Sequence, residues 1–263
     1  MELDQFYTSQ ECANNCYNLV KDIGTNQTIW LEPSAGTGAF YSLLPEPKLG
    51  YDLEPKCEGV IEANFFDLDL DLLIGQEVIT VGNPPFGKNS SMAVQFFNKC
   101  ASVSRVVAMI VPRTFRKPSV VNRLDPYFEK IEDITLPKDS FIADGKPYDV
   151  PCCFQIWERR DDKRPKIVTP VTHEDFVFCK RTEGDFAFQR VGGAAGKVKD
   201  ISDSFKDPSH YFIKANKAGV REVMESLNFK GVKYETAGNP SISKGDLINL
   251  YVEAISSSFQ EHN

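Results

Sequence analysis

Ile79-Thr80-Val81-Gly82-Asn83-Pro84-Pro85-Phe86-Gly87-Lys88 is the stretch from which the rest of the chain can be read. A short β-branched run, Val78 to Val81, reads as a buried strand. It ends in Gly82, a polar amide, two prolines and an aromatic ring. Successive prolines fix φ twice and remove two N–H donors, so the backbone is stiff and its carbonyls are free to accept. A strand that merely stops at a proline-rich turn would look the same. The sharper reading is a rigid shelf presenting the Asn83 side-chain oxygen, the Pro84 carbonyl and the Phe86 ring to a flat ligand bearing an NH₂ group.

Working outward toward the N-terminus, Thr28 to Glu32 reads as a second buried strand, running into Pro33-Ser34-Ala35-Gly36-Thr37-Gly38-Ala39-Phe40. Two glycines two apart let backbone come close to a ligand at the carboxyl edge of a parallel sheet, where α/β proteins bind nucleotides. No Gly-Lys-Ser/Thr follows, so the loop is not a P-loop, and the third glycine of the dinucleotide fingerprint is missing. Lys48 to Asp52 is a strand ending in an acid, roughly the ~20 residues downstream at which a carboxylate takes ribose hydroxyls. Val60 to Ala63 is a further strand, followed by Asn64-Phe65-Phe66-Asp67. Asn64 has the groups to bond an adenine edge and Phe65 the face to pack on it, although ordinary core accounts for one of the two phenylalanines.

Upstream, Thr8 and Glu11 are spaced as a capping box for a helix with Cys12, Cys16, Leu19, Val20 and Ile23 on its apolar side. Downstream, a helix over 91–101 carries Ala93, Phe96, Phe97 and Cys100 on one face, and Val106 to Val111 is the next strand. It delivers Arg113, Arg116, Lys117 and Arg123 with no acid between Arg113 and Leu124. A solvated helix face is the ordinary meaning of such a cluster, and a phosphate contact is its competitor. Strands over 131–136 and 152–157 complete the first half, separated by a loop from Pro137 to Pro151. Seven strands, five of them alternating with crossovers, make a doubly wound α/β sheet with an added hairpin.

The run Arg159-Arg160-Asp161-Asp162-Lys163-Arg164-Pro165 marks a domain boundary. Short strands over 176–179, 186–191 and 210–214 and helices near 218–227 and 244–256 give a smaller α+β domain over 166–263. Gly192-Gly193-Ala194-Ala195-Gly196, flanked by Arg190 and Lys197, is either a plain hairpin connection or a loop that lets a phosphate backbone approach.

Composition narrows the classes. With 263 residues, 41% hydrophobic and 25% charged, the chain is an ordinary globular one with a sizeable core. A net charge of −7 argues against a uniformly basic nucleic-acid wrapper, though not against a local basic patch. No apolar run approaches a membrane span, and Met1-Glu2-Leu3-Asp4-Gln5 does not resemble a signal peptide, so an intracellular location is expected, with no membrane partner. Seven cysteines without a CxxC or Cys/His ladder, and three histidines outside any ligand cluster, suggest small core residues in a reducing compartment and no metal. No residue pattern specifies an oligomeric state.

Asn83-Pro84-Pro85-Phe86, placed after Glu32-Pro33-Ser34-Ala35-Gly36-Thr37-Gly38, resembles the S-adenosylmethionine-dependent N6-adenine methyltransferases in their gamma-like motif order. The resemblance covers about residues 1–160 and implies a Rossmann-like, seven-stranded methyltransferase sheet for that catalytic domain. It implies that Phe6, Tyr7 and Thr8 close over the cofactor, that the Ser34–Gly38 loop (Ser34, Ala35, Gly36, Gly38) holds its amino-acid end with Glu32 and Pro33 also in the cofactor site, and that Asp52 holds its ribose and Asn64 with Phe65 its adenine. The family usually has Asp at the Asn64 position, with Asp67 the fallback. It also implies that residues 166–263 recognise the target. Asn83, Pro84, Pro85 and Phe86 would then carry the transfer, with the base extruded onto the Phe86 ring. Arg113, Arg116, Lys117, Arg190 and Lys197 are the candidate nucleic-acid contacts. DNA is the expected substrate, because the ribosomal-RNA adenine methyltransferases with Asn-Pro-Pro-Phe are usually short of a large C-terminal domain. RNA, glutamine methylation of a protein, and a non-catalytic cofactor- or nucleic-acid-binding module are the alternatives.

Overall fold

A computed structural model describes residues 6–236 and 238–260, with the side chains of 258–260 left aside; the acidic segment 1–5 lies outside the described residues. The chain forms two compact units, one up to Ile167 and one from Val168.

In chain order the first unit contains β1 (Tyr7–Thr8), α1 (Gln10–Val20), β2 (Ile29–Glu32), β3 (Lys48–Asp52), β4 (Ile61–Glu62) and β5 (Val78–Gly82). There follow α2 (Ser91–Ala101), β6 (Val106–Pro112), α3 (Pro118–Val121), β7 (Phe128–Thr135), β8 (Phe141–Ala143), β9 (Lys146–Tyr148) and β10 (Cys152–Arg159). Seven of these strands make one sheet in the order β4-β3-β2-β5-β6-β10-β7. The pairs β2–β3, β2–β5, β3–β4 and β5–β6 are parallel, whereas β10 runs antiparallel to both β6 and β7. The sheet is thus Rossmann-like and mostly parallel. β5 and β6 are buried along their whole length, as near-continuous apolar runs between two covered faces must be.

The order reverses between β2 and β5: β3 and β4 lie to one side, β6 to the other. That is the topological switch point of a doubly wound sheet, where the loops leaving two adjacent strands diverge and open a crevice at their carboxyl ends. The two loops in question are 33–40, after β2, and 83–87, after β5.

Two expectations are corrected. Helix α1 is capped by Ser9, whose hydroxyl accepts from the Cys12 N–H at 3.2 Å, and not by Thr8. Thr8 instead belongs to β1, which pairs with β8. The segment 137–151 is likewise no plain loop: β8 and β9 form a hairpin that adds β1 as a third strand. Its turn is Asp144-Gly145, with φ of 49° and 70°, the two left-handed residues of a tight hairpin. Cys12, Cys16, Cys100, Cys152 and Cys153 are buried and free, as small core residues. Burial pushes the Cys100 thiol up to about 12.

The second unit is a sheet of β11 (Phe176–Cys179), β12 (Phe186–Gln189), β13 (Val198–Lys199) and β14 (His210–Ala215), in the antiparallel order β11-β14-β12-β13. Helices α4 (Val220–Ser226) and α5 (Lys244–Gln260) contribute to its own core, which includes Phe176, Phe188, Ile213, Leu247 and Tyr251. Among the described residues no helix is long and apolar enough to cross a membrane, and no three His, Cys, Asp or Glu are placed to hold a metal ion.

Candidate active site

The crevice at the switch point is a cavity of about 360 Å³, within the size range of small-molecule sites. Its walls include Phe6, Tyr7 and Thr8 from the N-terminal strap, Glu32 to Thr37 from the first loop, Asp52, Asn64 with Phe65, and Asn83 to Pro85. Residues remote in sequence meet there because β2, β3 and β5 are adjacent and parallel.

The glycine loop is tied down on both sides. The Ala35 N–H donates to the Tyr51 carbonyl at 2.9 Å and the Gly36 N–H to Asp52 Oδ2 at 2.7 Å. Asp52 Oδ1 accepts from the Glu54 N–H at 2.8 Å. A carboxylate has about four acceptor positions, so Asp52 holds the loop and still has lone pairs facing the cavity it lines. The Ser34 hydroxyl donates to the Asn83 carbonyl at 3.3 Å, joining this loop to the Asn-Pro-Pro segment. Gly36 has a φ of 52°, and a Cβ there would stand 3.1 Å from the Tyr7 ring, so the strap closes directly on it. Lys56 donates to Tyr7 Oη at 2.6 Å, a latch on the same ring that nothing in the sequence announced.

Two cavity-lining acceptors lack partners. Asn83 Nδ2 donates to Thr8 Oγ1 at 3.1 Å, while Asn83 Oδ1 is buried with no hydrogen bond. Glu32 Oε2 is in the same condition. Burial pushes the Glu32 carboxyl well above the usual carboxylate range, with Asp52 adding to the rise and the Tyr41 N–H opposing it. A buried polar atom without a partner costs roughly 1–3 kcal/mol, so two in one cavity mark positions where a ligand's donors would be stabilising.

Several expected contacts are not placed as expected. Gly38 is not a wall: it forms the turn, its N–H on the Ala35 carbonyl at 2.7 Å, and a Cβ on it would run into Cys57. Asn64 is spent locally, accepting from the Phe66 N–H at 3.2 Å and donating to Asp67 Oδ2 at 2.8 Å, which caps a short 3₁₀ turn and leaves one N–H free. Phe65 lines the cavity but is mostly core, stacked on Phe96 at 5.6 Å. Phe96, read from the sequence as core alone, is also a wall.

Phe86 is the largest departure. It is 8% exposed and does not line the cavity. The Phe6 ring covers it at 5.4 Å and also packs on Phe141 at 5.0 Å. The physical reason is the turn that follows. Gly87, Asn89 and Ser90 all have positive φ, folding the chain so that the Phe86 carbonyl accepts the Met92 and Ala93 N–H groups at the start of α2. That turn carries the Phe86 ring beneath Phe6.

Among the basic candidates, Arg116 is committed to Asp133, at 2.9 and 2.6 Å, and to the Thr135 hydroxyl at 2.9 Å. Burial raises the Asp133 carboxyl, but Arg116 and Lys130 hold it below the usual range. Arg113 Nε is buried without a partner, and Lys117 is half-buried. Arg190 is half-buried: its guanidinium lies 5.0 Å from the Tyr211 ring and donates to the Pro208 carbonyl at 3.0 Å. The glycine-rich loop beside it is the hairpin connection between β12 and β13, stitched by Gln189 and Lys197 main-chain bonds.

No family model and no curated protein matches the chain. Solved structures with a similar backbone include a candidate RNA methyltransferase from Pyrococcus horikoshii, at 18% identity and a TM-score of 0.44, covering 60% of this chain and 88% of that one. The 23S rRNA methyltransferase ErmE is similar at 15% identity and a TM-score of 0.43, covering 62% and 72%. The modification subunit of a candidate type I restriction enzyme from Vibrio vulnificus is similar at 12% identity and a TM-score of 0.44, covering 92% of this chain and 59% of that one. Each is a likeness of backbone.

Proposed function

We propose that the chain binds S-adenosylmethionine in the switch-point cavity and transfers its methyl group to the N6 amine of adenine in DNA. The observation that carries this reading is the Asn83 side-chain oxygen, a buried acceptor without a partner in the cavity shared with Asp52 and the Gly36 loop. The donor set fits the cofactor. Asp52 has lone pairs for a ribose diol, Gly36 gives backbone room, and Glu32 offers an unpartnered oxygen to an ammonium group. Bound there, the cofactor supplies an electrophilic methyl on a sulfonium, so the protein needs no nucleophile of its own.

The chain's residues would do the rest by positioning. An exocyclic adenine amine is a poor nucleophile because its lone pair is delocalised into the ring. Asn83 Oδ1 and the Pro84 carbonyl, held by a backbone with two fixed φ angles, would accept its two N–H bonds and favour a localised lone pair. Pro85 keeps that carbonyl in place. Phe86 stands one ring behind Phe6, so stacking of a base on it requires Phe6 to swing aside. Such a stack contributes roughly 1–3 kcal/mol. On this reading, residues up to about 160 are catalytic and those beyond about 166 recognise the target.

The test offers labelled cofactor to DNA, RNA and protein pools and identifies the product by nucleoside mass spectrometry. N6-methyladenine in DNA is expected, falling by roughly 100-fold in Asn83→Ala, equivalent to about 2.7 kcal/mol of barrier, while cofactor affinity stays near its original value. Label in RNA or in glutamine would redirect the substrate, and cofactor binding without transfer to any pool would overturn the catalytic reading.

A further inference from the structure

A second cleft, of about 460 Å³, lies wholly within the second unit, where the end of β11 meets the start of β14. Lys180, Arg181, His210 and Lys244 line it together with Phe178 and Tyr211. Its one carboxylate, Asp207, is already faced by Arg181 at 3.8 Å, and Arg181 also donates to the Asp203 carbonyl at 2.7 Å. Lys180 and Lys244 have no carboxylate partner among the described residues. The Lys244 ammonium stands over rings instead, 4.5 Å from the centre of Phe178 and 5.9 Å from that of Tyr211. His210 is held by a ring stack on Phe205 at 4.3 Å, its Nδ1 lies 3.2 Å from the Lys206 carbonyl, and its Nε2 is buried without a partner.

Lys180, Arg181 and Lys244 thus outnumber the one lining carboxylate on aromatic walls, with Glu183, Asp185 and Asp246 close behind the lining, in a chain whose net charge is −7. We propose that this cleft holds a strand of nucleic acid, with Lys180 and Lys244 on its phosphates and the Phe178–Tyr211 wall against a sugar or base. Alternating cations and rings suit a polyanion that carries a flat group at each repeat. An acidic peptide would match the charge and leave the rings unused, and a lone phosphate is far smaller than the space. The inference rests on the methyltransferase reading for the identity of the strand.

The experiment uses the full chain and fluorescence anisotropy of labelled single-stranded DNA, single-stranded RNA and duplex DNA over a series of salt concentrations. Each lysine–phosphate contact on a single strand contributes about 0.7 to the slope of log affinity against log salt. Lys180→Ala/Lys244→Gln should lower that slope by roughly 1.4, two contacts' worth, and weaken binding roughly tenfold at low salt. The exposed pair Lys214→Ala/Lys230→Ala removes the same charge outside the cleft and should change the slope much less. An equal change in the two double variants, or none in the first, overturns the proposal. If the double variant loses its thermal transition, Lys180→Glu, at an exposed position, carries the same test. Wild-type methylation with a cleft-independent slope sinks the cleft and spares the catalytic reading. A cleft-dependent slope with no methylation does the reverse.

Discussion

Glu32 ends β2 with a carboxyl that burial drives well above the usual carboxylate range. The unfolded chain gives up this proton near pH 4.3, whereas the folded one keeps it to higher pH. The stabilising contribution is then complete below the unfolded value and is lost as pH rises toward the folded one. Glu32→Gln removes the titration. Its melting temperature relative to the unsubstituted chain should climb as pH rises above about 4.3, the unfolded value. A constant gap would mean that Glu32 is ionised in the fold. At this scale the sequence was informative where one residue type serves one purpose. Asn83 and Asp52 follow from strand ends and spacing, and both reach the cavity. Phe86 was legible as an aromatic after two prolines, but its cover by Phe6 depends on left-handed residues at Gly87, Asn89 and Ser90, and the glycine and asparagine there signal a turn without giving its direction.

Among elements, the strap and the glycine loop rest directly on one another. A Cβ on Gly36 would meet the Tyr7 ring at 3.1 Å, at a φ of 52° that disfavours any side chain. Gly36→Ala should therefore cost roughly 1–2 kcal/mol in backbone strain and a further amount from pushing on Tyr7. The two parts separate in a double-mutant cycle. In a Tyr7→Ala background the loss of folding stability caused by Gly36→Ala should shrink to the backbone part, whereas strict additivity would show that the ring does not rest on the loop. The strands of the large sheet were readable because buried parallel strands are continuous apolar runs. The strap was not, since β1 has two residues and its partner hairpin carries Pro147 and exposed positions. The Asp144-Gly145 pair was the available signal, and it was masked by the length of the surrounding proline-bounded segment.

For the whole molecule, a charged, proline-ended run is the natural place to cut a sequence, yet Arg159 to Ile167 is held to the first unit. Arg164 reaches the Phe128 carbonyl and, at 2.9 Å, that of Val121, and Arg159 reaches that of Ala101. Asn122 and Ile167 exchange two hydrogen bonds of 2.9 Å. Charge in a run is read as solvation, whereas guanidinium groups also satisfy the carbonyls left at strand and helix ends, and composition cannot separate the two uses. Beyond Ile167 the chain changes character: Val168 is 87% exposed and Val171 64%. Proteases need backbone that leaves its hydrogen bonds easily. A protease that cuts at small aliphatic residues should make its first cut in the full chain after Val168 or Val171, as read by intact-mass spectrometry at early times. Fragments ending within residues 159–166 instead would mean that the arginine contacts open more readily than the segment behind them, and that the charged run is the linker after all.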